Sequence, residues 1–174
     1  RHMAALLDHV DPDGLLEFSV VFTDRSLNHM SASFKQVMID ISDMLKQVYC
    51  ADAVAIVPGG GTFGMEAVAR QFGRDSKVLV VRNGWFSYRW SQIFEAGGFT
   101  TETHVIKARQ SDNGRQAAFS PAPIDAVVAQ IRAEKPDVVF APHVETSAGV
   151  ILPDAYITAL ATAAHDVGAL MVLD

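Results

Sequence analysis

The chain has 174 residues, 49% of them hydrophobic and 20% charged, with a formal net charge of -6. A domain of this size can bury roughly two thirds of its unfolded surface, so the composition excludes a disordered tail. The acidic balance excludes a basic field that would hold nucleic acid or anionic lipid.

Residues 1–3, Arg1-His2-Met3, read as an expression remnant, leaving residues 4–174 for the fold. No apolar run has the length of a membrane span and the start lacks the apolar stretch of a signal peptide, so a cytoplasmic protein is expected. Glu17 to Thr23 is a short extended run. Ser31 or Ser33 can then cap a helix whose apolar residues Phe34, Val37, Met38, Ile41, Leu45 and Val48 keep helical spacing. Cys50 ends this pattern; as the single cysteine it permits neither a disulfide framework nor a cysteine metal cluster, and it reads as a core thiol.

Ala53 to Val57, a brief apolar run closed by Pro58 and three glycines, reads as a strand, and a helical pattern with Met65, Val68, Ala69 and Phe72 follows. Lys77 to Val81 reads as a strand, Phe86 to Glu95 as a helix closed by Gly97-Gly98, and His104 to Lys107 as a weaker strand. The polar stretch Ala108 to Ser120 looks like a long surface loop. Pro123 to Glu134 reads as a helix, Val138 to Ala141 as a strand, Pro153 to Val167 as a helix and Ala169 to Leu173 as a final buried strand. Short apolar strands alternating with helices predict an α/β three-layer sandwich with a mostly parallel sheet.

Ligands of such sheets gather beyond the carboxyl ends of the strands, which directs attention to four segments. Pro58-Gly59-Gly60-Gly61-Thr62 precedes Met65-Glu66; its glycines let a backbone approach a phosphate at a helix start, although a flexible turn with a Thr cap would look the same. Arg82-Asn83-Gly84-Trp85-Phe86 is an aromatic-rich turn in which Phe86 or Trp85 can lie against a planar ring, or serve packing alone. His143-Val144-Glu145-Thr146-Ser147-Ala148-Gly149 clusters polar side chains after a strand. Asp174 is an acid directly after four apolar residues, a costly place for a carboxylate unless a cation or donors await it.

Taken in this order, over about residues 15 to 174, the four segments resemble the class V aminotransferases, the fold-type-I pyridoxal-phosphate group that includes alanine-glyoxylate and serine-pyruvate aminotransferases. The resemblance implies that Gly60, Gly61 and Thr62 hold the phosphate of pyridoxal 5'-phosphate, with Gly60 standing where a serine is usual. It implies that Phe86 stacks on the pyridine, with Trp85 as the alternative. Thr146, or Ser147 after it, would bond the phenolic oxygen, and Asp174 would pair with the pyridinium nitrogen. The activity implied is transfer of an amino group from a small amino acid to an oxo acid such as glyoxylate or pyruvate, in a homodimer.

The family's Gly-Pro-x-Pro opening is missing, and Asn28-His29-Met30-Ser31 stands where a His-Arg pair is common. The Schiff-base lysine of the family lies beyond the strand-end aspartate, so it is expected outside this chain; Lys35, Lys46, Lys77, Lys107 and Lys135 all precede Asp174. The reading is therefore of a partial cofactor-binding domain, inactive alone, with no metal site. Two other readings stay open: a nicotinamide-dinucleotide module, since Gly59, Gly61 and Gly64 have the G-x-G-x-x-G spacing, and a non-catalytic relative. Desulfurase or lyase chemistry of the same superfamily also remains compatible.

Overall fold

The computed structural model describes His29 and residues 32–174, so the extended run Glu17 to Thr23 and the Ser31 cap lie outside the described residues. The chain divides into two compact units, Arg1–Val57 and Pro58–Asp174. In the first, helix α1 spans Ala32–Tyr49, and its side chains Phe34, Met38, Ile41 and Leu45 form a half-buried stripe at helical spacing. Cys50 is not a core thiol: it takes a left-handed φ of 49° just past the helix, and its side chain is exposed. Ala53 to Val57 does not form the expected strand. Among the described residues it has no ladder partner, and a short apolar run does not hold extended geometry without one.

The second unit carries α2 (Gly61–Phe72), β1 (Lys77–Arg82), α3 (Trp85–Gly97) and β2 (Glu102–Lys107). After them come β3 (Arg109–Gln110), β4 (Phe119–Ser120), α4 (Ile124–Glu134), β5 (Val138–Ala141), β6 (Val144–Glu145), β7 (Val150–Ile151), α5 (Asp154–Asp166) and β8 (Leu170–Leu173). Pro123 and Pro153 are the N-caps of α4 and α5 rather than their first helical residues, a place where the missing N–H likewise costs no intrahelical bond. The stretch expected to be one long loop contains the small antiparallel ladder β3-β4, in which Arg109 faces Ser120 and Gln110 faces Phe119.

The main sheet is entirely parallel in the order β2-β1-β5-β8. Successive side chains of a strand point to opposite faces, and β1 uses both. Val78 and Val80 join Met65, Ala69, Trp90, Phe94, Val138 and Phe140 under α2 and α3. Leu79 and Val81 join Val127, Ile131, Val139, Leu160 and Ala164 under α4 and α5. This is the three-layer α/β sandwich expected from the alternation. The final strand differs from its expectation: among the described residues β8 lies at a sheet edge, paired with β5 on one side, and although Met171 and Val172 pack on the two cores, Leu170 is 52% and Leu173 44% exposed.

The strand order fixes where a ligand can enter. From β1 the chain moves outward to β2 and then returns to the other side of β1 to form β5. The carboxyl ends of β1 and β5 therefore diverge at a topological switch point, where a crevice opens in sheets of this kind.

Candidate functional site

The segments beyond β1, β5 and β8 meet at that end of the sheet. Asp174 N donates to Ala141 O at 3.1 Å, and His143 N donates to Asp174 O at 2.7 Å, so the strand-end acid is sewn to the segment after β5. Asn83, Gly84, Trp85, Phe119, Ser147 and neighbouring alanines line a cleft of about 440 Å³. The β3-β4 ladder supplies its Phe119 wall.

A buried acid joins two of these segments. Glu145 is fully buried, and its carboxylate accepts from Phe86 N at 3.0 Å, Ser87 N at 2.9 Å, Ser87 Oγ at 2.5 Å and Ser147 Oγ at 2.5 Å. The first N–H groups of α3 have no partner within the helix, so a carboxylate there also meets the positive end of the helix dipole. Burial alone would raise the Glu145 pKa, but the Ser147 and Ser87 hydroxyls and the Ser87 and Phe86 N–H groups outweigh it and hold the carboxyl below its ordinary value. Ser87 Oγ in turn accepts from Asn83 N and Gly84 N, and Ser147 Oγ accepts from Trp85 N at 2.8 Å. Gly84 is the residue that admits this network: a Cβ there would lie 2.5 Å from Ser147 Oγ and 2.7 Å from Glu145 Cγ.

The glycine loop comes next. Gly60 is the N-cap of α2 with no side-chain cap bond, and built Cβ atoms at Gly60 and Gly61 meet nothing within 4 Å, so the backbone here faces open space. Gly59, at φ 129°, is the position that requires glycine. Thr62 Oγ1 accepts from Arg89 Nη1 at 2.8 Å, and the Arg89 guanidinium lies 5.4 Å from the Phe86 ring centroid. Burial raises the carboxyl pKa of Asp174; the Arg89 charge opposes that rise and the Glu145 charge adds to it.

Of the residues singled out in the sequence, Thr62 and Phe86 are linked through Arg89, whose charge also acts on Asp174. Phe86 is 37% and Trp85 60% exposed. Thr146 sits in a 3-10 turn of residues Thr146–Ala148 with its side chain exposed. The hydroxyl of Ser147 is already engaged on both sides. Sequence reasoning gave no part to Glu145, Ser87 or Arg89. A Glu inside the polar segment His143 to Gly149 carries no mark of burial in the sequence, and its backbone partners in α3 lie 58 and 59 positions away.

Pyridoxal 5'-phosphate needs an anion site, a flat apolar wall and polar contacts around a ring, and the donor set fits. The N–H groups of Gly61 and Thr62 open a helix and have no carbonyl partner within it, and the Cβ positions of Gly60 and Gly61 are unobstructed. Asn83 is 3% exposed, yet its amide nitrogen and oxygen both lack a hydrogen-bond partner among the described residues, leaving a donor and an acceptor unclaimed at the end of β1. The G-x-G-x-x-G alternative has weaker support, because the segment before Gly59 is not a strand.

No protein-family model matches the chain. A curated relative named soluble hydrogenase, small subunit, from a Synechococcus species is 32% identical over 127 residues, covering 72% of this chain and 31% of the relative. The 2-aminoethylphosphonate–pyruvate transaminase of Pseudomonas putida is 29% identical over 133 residues, covering 75% of this chain and 32% of that enzyme. Among solved structures, ureidoglycine-glyoxylate aminotransferase from Bacillus subtilis superposes with a TM-score of 0.69 at 22% identity, over 84% of this chain and 35% of that one. The chain spans about a third of the length of the curated relatives it matches. By sequence it is similar to about a third of a named hydrogenase subunit and of a named transaminase, and its fold is that of the corresponding part of the aminotransferase structure it superposes on.

Proposed function

We propose that this chain supplies the cofactor-binding part of a pyridoxal-phosphate-dependent aminotransferase that moves an amino group from a small amino donor to an oxo acid such as pyruvate or glyoxylate. The observation that carries the reading is the gathering of the glycine loop, the aromatic turn and the strand-end acid at one end of a parallel sheet, with Arg89 bonded to Thr62 and lying over the Phe86 ring while its charge acts on Asp174. The transaminase and aminotransferase names of its relatives support it.

Pyridoxal phosphate, when bound, supplies an aldehyde carbon that accepts the amino group and a protonated ring that withdraws electrons from the bond being broken. In this reading the N–H groups of Gly60, Gly61 and Thr62, with the Thr62 hydroxyl, hold the phosphate. Phe86 covers a ring face, and the Thr146 hydroxyl bonds the phenolic oxygen. Asp174, as a carboxylate, keeps the proton on the ring nitrogen. The amine that would anchor the cofactor is assigned to none of the lysines of these 174 residues. Lys77 is unsuited: it begins β1 at the opposite end of the sheet, where its ammonium bonds Glu134 O at 3.1 Å and pairs with Glu102 at 3.3 Å. The hydrogenase name belongs to the Synechococcus relative and is not carried over to this chain.

The decisive test is titration of the full-length protein with pyridoxal phosphate. An absorption band at the violet edge of the visible, abolished by borohydride, is expected; no band at saturating cofactor refutes the reading. Alanine, serine and 2-aminoethylphosphonate, each paired with pyruvate and with glyoxylate, then identify the donor and the acceptor.

A further inference from the structure

The geometry points to Glu145 as the positioning residue that sets the aromatic turn, and with it the Phe86 ring and the Ser147 hydroxyl, at the mouth of the crevice. This deepens the proposed function and rests on it for the identity of the bound ring. Asn83 to Ser87 leaves the carboxyl end of β1 and enters α3 within a few residues, and three of its N–H groups, those of Trp85, Phe86 and Ser87, have no carbonyl partner in the helix. In many helices one N-cap side chain takes one or two of them. Here the N-cap is Gly84 and offers no side chain.

Glu145 fills that role from a different segment. Its two oxygens accept the Phe86 and Ser87 N–H groups, and Ser147, which donates to Glu145 at 2.5 Å, accepts the third from Trp85. The Ser87 hydroxyl donates to the same carboxylate and accepts from Asn83 N and Gly84 N. Every backbone N–H from Asn83 to Ser87 is thereby assigned to Glu145 directly or through one serine. A surface carboxylate could not do this; Glu145 is fully buried, and Gly84 lets it approach within a distance that a methyl group would forbid. The φ/ψ path of the turn determines where the Phe86 side chain leaves the backbone, so the ring's place follows from the carboxylate.

The test uses the full-length protein carrying Glu145→Gln, with Ser147→Ala as a second variant that keeps the charge. A glutamine retains the shape but presents an NH2 where one N–H was accepted, so loss of charge-assisted bonds should speed amide exchange at residues 85–88 by about 10- to 100-fold. Exchange in β1 and β5 should stay as in the parent. In the pyridoxal-phosphate-loaded protein, the circular dichroism of the cofactor band per unit of absorbance should fall in Glu145→Gln, because the ring facing Phe86 is no longer held at one angle. A purely structural cap would raise exchange and leave the ellipticity intact, which would overturn the proposal, as would unchanged exchange in both variants. If Glu145→Gln does not fold, Ser147→Ala decides by the same two readouts, with a smaller change expected. If the parent protein takes no pyridoxal phosphate, the functional reading falls separately, and exchange at 85–88 alone decides whether Glu145 holds the turn.

Discussion

Arg89 donates from Nη1 to Thr62 Oγ1 at 2.8 Å, joining the second turn of α3 to the first turn of α2 across 27 positions of sequence. The bond places a guanidinium beside the helix start proposed to receive the phosphate, and an arginine there adds charge and donors to an otherwise neutral loop. Arg89→Leu should raise the dissociation constant for pyridoxal phosphate about 3- to 10-fold, the modest size reflecting partial solvent screening. Tryptophan-fluorescence quenching by added cofactor measures it; an unchanged constant removes Arg89 from the phosphate site.

Gly60→Ser should act in the opposite direction. The N-cap of α2 has no side-chain cap bond and open space around its Cβ position, so a serine hydroxyl can cap the helix and face the phosphate. A gain of a few tenths of a kcal/mol in stability is expected from the cap, with tighter cofactor binding by about 3-fold or more. Paired thermal unfolding and titration test it, and weaker binding would show that the loop backbone must come closer than a serine allows.

Gly84→Ala should be costly at once. Its Cβ would meet Ser147 Oγ at 2.5 Å and Glu145 Cδ at 2.8 Å, both fixed by their own hydrogen bonds, and overpacking of this kind costs about 1–3 kcal/mol. Denaturant unfolding should show the loss; parent-like stability would mean that the turn can slide.

Asp174→Asn keeps shape and removes charge. With the ring nitrogen no longer paired with a carboxylate, transamination in the full-length protein should slow by about two orders of magnitude or more, while cofactor affinity changes less. Single-turnover rates and binding titrations separate the two. A near-parental rate would make the carboxylate structural.

Stability should also fall in acid through Glu145. Its folded pKa is depressed below the ordinary 4.5, so its contribution is complete above that value and is lost as the pH falls through the lower folded value. Asp174 is shifted upward and has the opposite sign, its contribution fading as the pH rises through the carboxylate range. Unfolding of parent and Glu145→Gln between pH 3 and 7 should therefore show curves that converge at the acid end. A constant gap across the range would contradict the assignment.

The layers of the second unit were legible because period and burial agree: Val78 to Val81 is apolar on both faces, as a central parallel strand must be, and α3 to α5 keep helical spacing to within a few residues at their ends. Places that depend on neighbours were not. Ala53 to Val57 and Leu170 to Leu173 are equally apolar, yet one has no ladder partner among the described residues and the other lies at an edge. For the crevice, position after an element suggests Thr62, Phe86 and Asp174 as candidates. Glu145 could not, because what makes it buried is a set of N–H groups that exists only after α3 has formed. Ser87 and Ser147, each within reach of a helix start and an acid, were the available signal.

The Phe86–Glu145 bond has a kinetic consequence, since it closes a loop of 59 residues. It can form only after β1, with its helix α3, has found β5. Pairings so distant in sequence raise the entropy barrier to folding and form late, so intermediates that contain α3 and β1 but lack β5 should have a loose aromatic turn. Cofactor added during refolding would then leave the early phases untouched and act by trapping the finished state.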